Sequence, residues 1–329
     1  MASGKVSVAA AVDPEQAQRK ASHVRLAGFA WAALTVMIFS GWFVVTRLGV
    51  TRELRIWDIA ALRFGIGALL LAPAVVRRGS RLSAAAWGEG LIFAVLWGVP
   101  FVLLVALGLK LTSAAQAASV APTLMPVFAG VFGWGFLRER QGRSRWIGYA
   151  AIITGLVCLV GAGAAAHGKP NPYGIFALTA AAAMWAIYTL LFRRSGLTPI
   201  QSAALICLWS TVVYLPVYLL LGLSRFSLAS PGEIALQALY QGVLMSGVAL
   251  ITYNRAVSLL GSSAATAVIA LLPAVASILA IPVLGETPSL AEGVSIAVIV
   301  LGVLLASRPA PERRVSPTRA STPRASTHS

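Results

Sequence analysis

Ten stretches of this chain are apolar for about twenty residues at a time, and that run length leaves few folds open. They cover approximately residues 26–46, 57–76, 87–109, 112–137, 146–166, 173–192, 199–222, 234–254, 262–284 and 287–306. A bilayer core of about 30 Å is crossed by about 20 apolar residues in a helix. Inside lipid only helices and closed barrels satisfy their own backbone groups, and these run lengths suit helices. With 58% hydrophobic and 11% charged residues, the 329-residue chain lacks the polar surface of a soluble globule, which carries about 25% charged residues. The expected fold is an all-α membrane protein of ten transmembrane helices, joined by short connections.

The net charge of +16 in a soluble protein would point to nucleic acid. Here the lysines and arginines lie between and outside the apolar runs, which is the pattern of membrane topology, and no nucleic-acid partner is expected. With the N-terminus in the cytoplasm, nineteen basic residues fall inside and six outside, while Arg63 lies within a span. The excess places both termini in the cytoplasm. Residues 1–25 read as a polar cytoplasmic tail without the apolar centre of a cleavable signal. Residues 307–329, rich in Pro, Ser, Thr and Arg, read as a disordered basic cytoplasmic tail.

Cys158 and Cys207 sit in apolar runs, and His23, His167 and His328 lie outside them. Neither a disulfide framework, a metal nor a cofactor is expected from that distribution. No carboxylate pair, Ser-His-Asp set or metal cluster falls within the runs, so the chain is not read as an enzyme. It has no P-loop of its own, so no nucleotide-driven step is expected.

One frame occurs twice. In "LMPVFAGVFGWGFLRERQ" (124–141) Pro126 precedes Glu139 by thirteen residues, and in "LLPAVASILAIPVLGETPSL" (271–290) Pro273 precedes Glu286 by the same interval. Both pairs, and Gly155 with Gly302, differ by 147; "AAQAASVAPTLMP" (114–126) aligns with "GSSAATAVIALLP" (261–273) at that offset. Self-similarity at one offset is the mark of a duplicated unit. The repeats are 26–166 and 173–306, each with five spans. Five is odd, so the second copy is expected to enter the membrane upside down. Glu139 then lies inside, among arginines, and Glu286 outside, without them.

These residues resemble the drug/metabolite transporter superfamily, in particular its ten-span EamA-type carriers, over about 26–306. The first copy carries "IAALRFGIGALLL" (59–71), similar to the family's Arg-bearing second span, and "IGYAAIITGLVCLVG" (147–161), similar to its Gly-patterned fifth. The second carries "AAAAMWAIYTLLFRRSG" (180–196), "LLPAVASILAIPVLGE" (271–286) and "AVIVLGVLL" (297–305). A departure is that Leu208 or Trp209 falls near the place that matches Arg63. The resemblance implies a bacterial inner-membrane carrier of small metabolites, often an exporter, working by alternating access. It also implies a cavity formed mainly by the first, third and fourth spans of each copy.

On those spans lie Trp42, Trp97, Phe101, Gln116, Trp185, Tyr188, Tyr240, Gln241, Tyr253 and Asn254, the candidates for a substrate pocket with apolar walls and few polar groups. Arg63 either binds a substrate carboxylate or fixes packing, and the lack of a basic match in the second copy favours packing. Glu139 and Glu286 read as helix caps rather than gating groups. Pro126 and Pro273 each remove a backbone hydrogen bond inside a span, which makes them kink or gating candidates as much as packing residues.

The first span has no acid, and Glu89 is the one acidic candidate near a span. Efflux of lipophilic cations, which calls for an intramembrane carboxylate, is therefore disfavoured. A neutral or zwitterionic cargo fits better, an amino acid foremost. Two alternatives stay open, a drug or toxic-compound efflux carrier and a membrane sensor or scaffold whose basic tail touches anionic lipid. The expected partners are a small-molecule substrate and membrane lipids, with a homodimer left open.

Overall fold

The computed structural model describes residues 14–51, 54–76, 82–112, 114–138, 141–167, 171–269, 271–284, 287 and 289–306. Among these residues there is no strand. The helices of the first half are α1 (Pro14–Thr51), α2 (Ile56–Leu71), α3 (Pro73–Val76), α4 (Ala84–Trp97), α5 (Val99–Leu111), α6 (Ala114–Gly135) and α7 (Arg143–His167). Those of the second are α8 (Pro172–Arg194), α9 (Pro199–Leu220), α10 (Pro231–Gln237), α11 (Leu250–Leu260), α12 (Ser262–Ile269), α13 (Leu272–Leu284) and α14 (Leu290–Ala306). A π-helical stretch, Ala238–Ala249, joins α10 to α11.

Seven helical stretches among the described residues are long and apolar enough to cross a membrane: Ala21–Gly49, Ala84–Leu111, Ala117–Gly135, Arg143–Ala165, Pro172–Arg194, Pro199–Leu220 and Pro231–Leu260. The remaining three apolar runs are shorter or divided. Pro73 follows the end of α2, α12 and α13 are separate helices, and α14 has 17 residues. At the N-terminus α1 begins at Pro14, so residues 14–25, read from sequence as a polar tail, are an exposed extension of the first span. Glu15 and Arg19 pair across one turn of it at 3.8 Å.

Local chemistry sets the boundaries. Proline stands at the start of α8, α9 and α10 (Pro172, Pro199, Pro231), where its missing N–H has no intrahelical partner to lose. The preceding side chains cap: Asn171 accepts from Tyr173 N at 2.9 Å, Thr198 from Gln201 N at 3.3 Å and Ser230 from Glu233 N at 3.3 Å. Gly98 separates α4 from α5. A Cβ there would meet the α4 carbonyl of Ala94 at 2.1 Å and Ser210 Oγ of α9 at 2.3 Å, and the backbone contact leaves no room for a side chain.

The helices of the two halves interleave. Within the bundle α7 packs on α14, α6 on α8, α2 on α9 and on the π stretch, and α1 on α11, α12 and α13. In addition α4 packs on α9, α5 on α8, and α6 on α12 and α13. At the α7–α14 seam backbone faces backbone. A Cβ on Gly148 would meet Gly302 O at 2.6 Å, and one on Gly302 would meet Gly148 O at 2.8 Å. Without apolar driving force between helices in lipid, such small-residue contact is what lets two helices gain close packing. Tyr149, Ile152, Ile299 and Val303 close a small core around it.

The seam gives a direct test. Gly148→Val or Gly302→Val should destabilise the protein by ~1–3 kcal/mol through overpacking, read as a lower unfolding temperature of the purified protein. Gly161→Val on the same α7, where an added Cβ meets nothing within 4 Å, should leave it unchanged. Equal effects at all three positions would remove the seam from the stability of the fold.

Candidate functional site

Where α1, α4, α5, α8 and α11 meet, their aromatic residues form one cluster. Trp97, the last residue of α4, is at its centre and is 1% exposed. Its ring stacks on Phe101 at 4.3 Å between centroids, on Tyr188 at 5.3 Å and on Tyr253 at 5.9 Å, and lies 4.6 Å from Trp185. Phe39 of α1 adds an edge contact to Trp185 at 5.5 Å. Trp97 and Phe101 are four residues apart on either side of Gly98 and share one face, as i and i+4 residues of a helix do. The alanines of α8 (Ala177, Ala181, Ala182, Ala186) bury completely or nearly so and let this helix approach its neighbours.

Hydrogen bonds tie the cluster to its surroundings. Tyr188 Oη donates to Asn254 Oδ1 at 2.8 Å and lies 3.1 Å from Ser202 Oγ, while Asn254 Nδ2 donates to Pro199 O at 3.4 Å. These bonds join α8, α9 and α11. Thr189 and the Tyr253 hydroxyl also hydrogen-bond. Among the described residues no partner reaches Trp97 Nε1.

Beside the aromatic cluster lies a polar one. Trp42 Nε1 donates to Gln241 Oε1 at 2.8 Å, and Gln241 Nε2 donates to Thr46 Oγ1 at 2.9 Å and to Gln237 Oε1 at 3.2 Å. Gln237 in turn donates to Val45 O at 2.8 Å. Four polar side chains thus bind α1 to the end of α10 and the π stretch. The guanidinium carbon of Arg63 sits 5.2 Å from the Trp42 ring centre. Ser246 Oγ bonds both the Arg63 and the Gln241 carbonyls.

Of the ten pocket candidates, Trp97, Phe101, Trp185, Tyr188, Tyr253 and Asn254 come together in the first cluster, and Trp42 and Gln241 in the second. Tyr240 does not join them. It leans over α1 beside Gly41 and donates to Ile38 O at 2.9 Å. The Gln116 side chain, Glu139 and Glu286 lie outside the described residues.

The two prolines differ in setting. Pro126 is inside the unbroken α6, whereas Pro273 is in the first turn of α13, beyond the end of α12. There a proline gives up no hydrogen bond, so the matching kink expected in the second copy is not formed by Pro273.

The expectation that Glu89 is the one acid near a span is also corrected. Asp58 in the first turn of α2 is fully buried, and Glu292 in the first turn of α14 is 6% exposed. Both act as helix-start acceptors. Asp58 takes Tyr218 Oη at 2.6 Å, Arg225 N at 3.0 Å and Arg55 N at 2.9 Å, and Glu292 takes Ser289 N at 2.8 Å. At the same end of the bundle as Asp58, Arg47 donates to Leu109 O at 2.8 Å and Thr112 O at 2.9 Å, capping α5. Phe39 carried a readable signal, since it precedes Trp42 by one helical turn. Asp58 carried another, three residues after the extended Arg55.

A helical bundle with apolar outer faces and seven stretches long enough to span a bilayer is an integral, multi-pass membrane protein. The description "EamA-like transporter family" matches residues 26–161 and again 172–308. The chain belongs to that family. A protein of Streptantibioticus cattleyicolor named as a probable terminal-alkyne amino-acid exporter is 29% identical over 211 residues, 64% of this chain and 68% of that one. The Bacillus subtilis transporter YwfM is 24% identical over 272 residues, 79% of this chain and 88% of its own. A solved crystal structure superposes with a TM-score of 0.62 at 22% identity, covering 87% of this chain and 96% of the other, which speaks to fold alone.

The Tyr188–Asn254 bond is open to a double-mutant cycle. Tyr188→Phe and Asn254→Leu should each destabilise, and the pair should lose less than their sum by ~0.5–1.5 kcal/mol, the range for hydrogen bonds between membrane helices. Unfolding of the purified protein in mixed micelles measures it. Strict additivity would show that the bond does not hold these helices together.

Proposed function

We propose that this chain is a secondary or facilitated carrier that exports a small neutral or zwitterionic metabolite, an amino acid foremost, by alternating access. The observation that carries the reading is the closed cluster of Trp97, Trp185 and Tyr253 beside the Trp42–Gln241 pair. It is built from corresponding spans of both halves and combines apolar walls with a few placed polar groups, the make-up of a small-molecule site. The relative named for amino-acid export supports the cargo class.

We read the chain as ten spans in two five-span repeats of opposite topology, with both termini in the cytoplasm of a bacterial inner membrane. Two family matches support the duplication. The packing supports it further, because exchanging the halves preserves the neighbours. Contact of α1 with α11 corresponds to α8 with α5, that of α6 with α8 to α13 with α1, and that of α2 with the π stretch to α9 with α4. The α7–α14 and α2–α9 contacts map onto themselves. In such transporters one repeat moves against the other about a site near the midplane. Asp58 and Arg47 close one end of the bundle in this reading, and Tyr188 with Asn254 the other.

Counterflow tests the reading. Proteoliposomes of the full chain, loaded with unlabelled amino acids, should accumulate labelled norvaline or propargylglycine several-fold faster than protein-free vesicles. Retention at the control rate across an amino-acid panel would refute the cargo class. A groove of about 1020 Å³ between α2 and α9, lined by Leu62, Ile66, Leu69, Leu208 and Leu215, favours the alternative of lipophilic-compound efflux, which would show instead as exchange of a lipophilic dye. For topology, a cytoplasm-active reporter after Ser329 should be active, and a periplasm-active one should not. The reverse result would overturn the cytoplasmic C-terminus, and termini found on opposite sides would remove the inverted repeat.

A further inference from the structure

We propose that Arg63 anchors a carboxylate subsite in the centre of the bundle, so that the cargo is a monocarboxylate held by its acid group. The inference deepens the carrier reading and rests on it. Arg63 is 2% exposed and is the one buried basic residue among the described residues. It lies seven residues into α2, about 10 Å along the helix at 1.5 Å per residue. Its guanidinium is faced by the rings of Trp42 at 5.2 Å and Phe64 at 5.6 Å, and the thiol of Cys207 is nearby. None of these is an anion at neutral pH. Nε and Nη1 of Arg63 have no hydrogen-bond partner among the described residues.

The neighbouring acceptors bond elsewhere and none of them pairs with Nε or Nη1. Gln241 Oε1 receives the Trp42 indole, and Ser246 Oγ donates to the Arg63 carbonyl rather than meeting the guanidinium. Asp58, one and a half turns back on α2, has one oxygen on Tyr218 and Arg225 N and the other on Arg55 N. Buried donors are nearly always paired, a buried cation left unpaired is costly, and an ionisable residue inside a membrane span marks a site by default. What satisfies a planar guanidinium best is a carboxylate or another oxyanion. One turn of α1 from Trp42, Phe39 touches Trp97, whose Nε1 is also unpaired. A cargo with its acid on Arg63 would rest its apolar body against Phe39 and Trp97.

The test uses the full chain in nanodiscs and reads the unfolding temperature against added valerate and its amide, valeramide. Wild type should respond to valerate at a concentration at least tenfold lower than to valeramide. Arg63→Gln should respond to both alike, and Arg63→Lys should keep part of the preference. Equal responses in wild type overturn the subsite, and that comparison needs no variant to fold. An acid preference surviving in Arg63→Gln overturns it too. Nanodiscs of phosphatidylcholine alone and with phosphatidylglycerol should give the same preference. A preference abolished by phosphatidylglycerol would assign the donors to a lipid phosphate and reject a cargo site. Norvaline counterflow separates the two readings. Its absence beside an intact valerate preference removes the amino-acid cargo and leaves the subsite, and the converse removes the subsite alone.

Discussion

A peptide group in hydrocarbon has no water to bond, and this chain meets that constraint with helices whose ends then become the points needing outside help. The interhelical polar contacts are concentrated accordingly. Asp58 gathers the start of α2, the end of α9 and the following loop through three bonds. Arg47 takes the last carbonyls of α5, and Thr198 and Asn254 serve the start of α9 from two directions. Between these ends the helices touch mostly through apolar and small residues. Polar pairs in the middle of the bundle join helices across the two copies, as Trp42 with Gln241, and within the second copy, as Tyr188 with Asn254.

The two copies share a plan and differ in how it is executed. In the third span of the first copy the backbone breaks at Gly98, and the offset of 147 carries that position to Met245, inside the π stretch of the second. Both copies therefore interrupt regular α-helix at the same place, one by a break and the other by a wider turn. Each interruption lies beside the site, the first between Trp97 and Phe101 and the second at Gln241. In the second span the copies part company, because Leu208 or Trp209 falls near the place that matches Arg63.

Much of this was legible in the residues. Apolar run lengths gave the helices, and the offset that relates Gly155 to Gly302 led to two residues of one seam. Aromatic and amide residues on the expected spans gave eight members of the two central clusters. Other features were hidden because their meaning depends on distant partners. Trp42 and Gln241 are 199 residues apart, and Tyr218 and Asp58 are 160 apart. Arg47 counted only as topological charge until α5 was placed beside it. The unequal settings of Pro126 and Pro273 could not be seen in a frame that treats the copies as identical, since the helix break before Pro273 belongs to one copy alone.

The π stretch has a consequence of its own. Its Ser246 hydroxyl reaches the carbonyl five residues back, at Gln241, the spacing of a widened turn. In an α-helix each residue turns the face by about 100°, from 3.6 residues per turn. A slip of one hydrogen-bond register from π to α would therefore rotate the upstream face by about that angle, withdraw the Gln241 amide from the Trp42 indole and bring Tyr240 or Gly242 toward it. The tryptophan's partner, an amide, a phenol or bare backbone, is thus set by the pitch of one helix, and a change of pitch would re-line the centre of the bundle without any helix leaving its place.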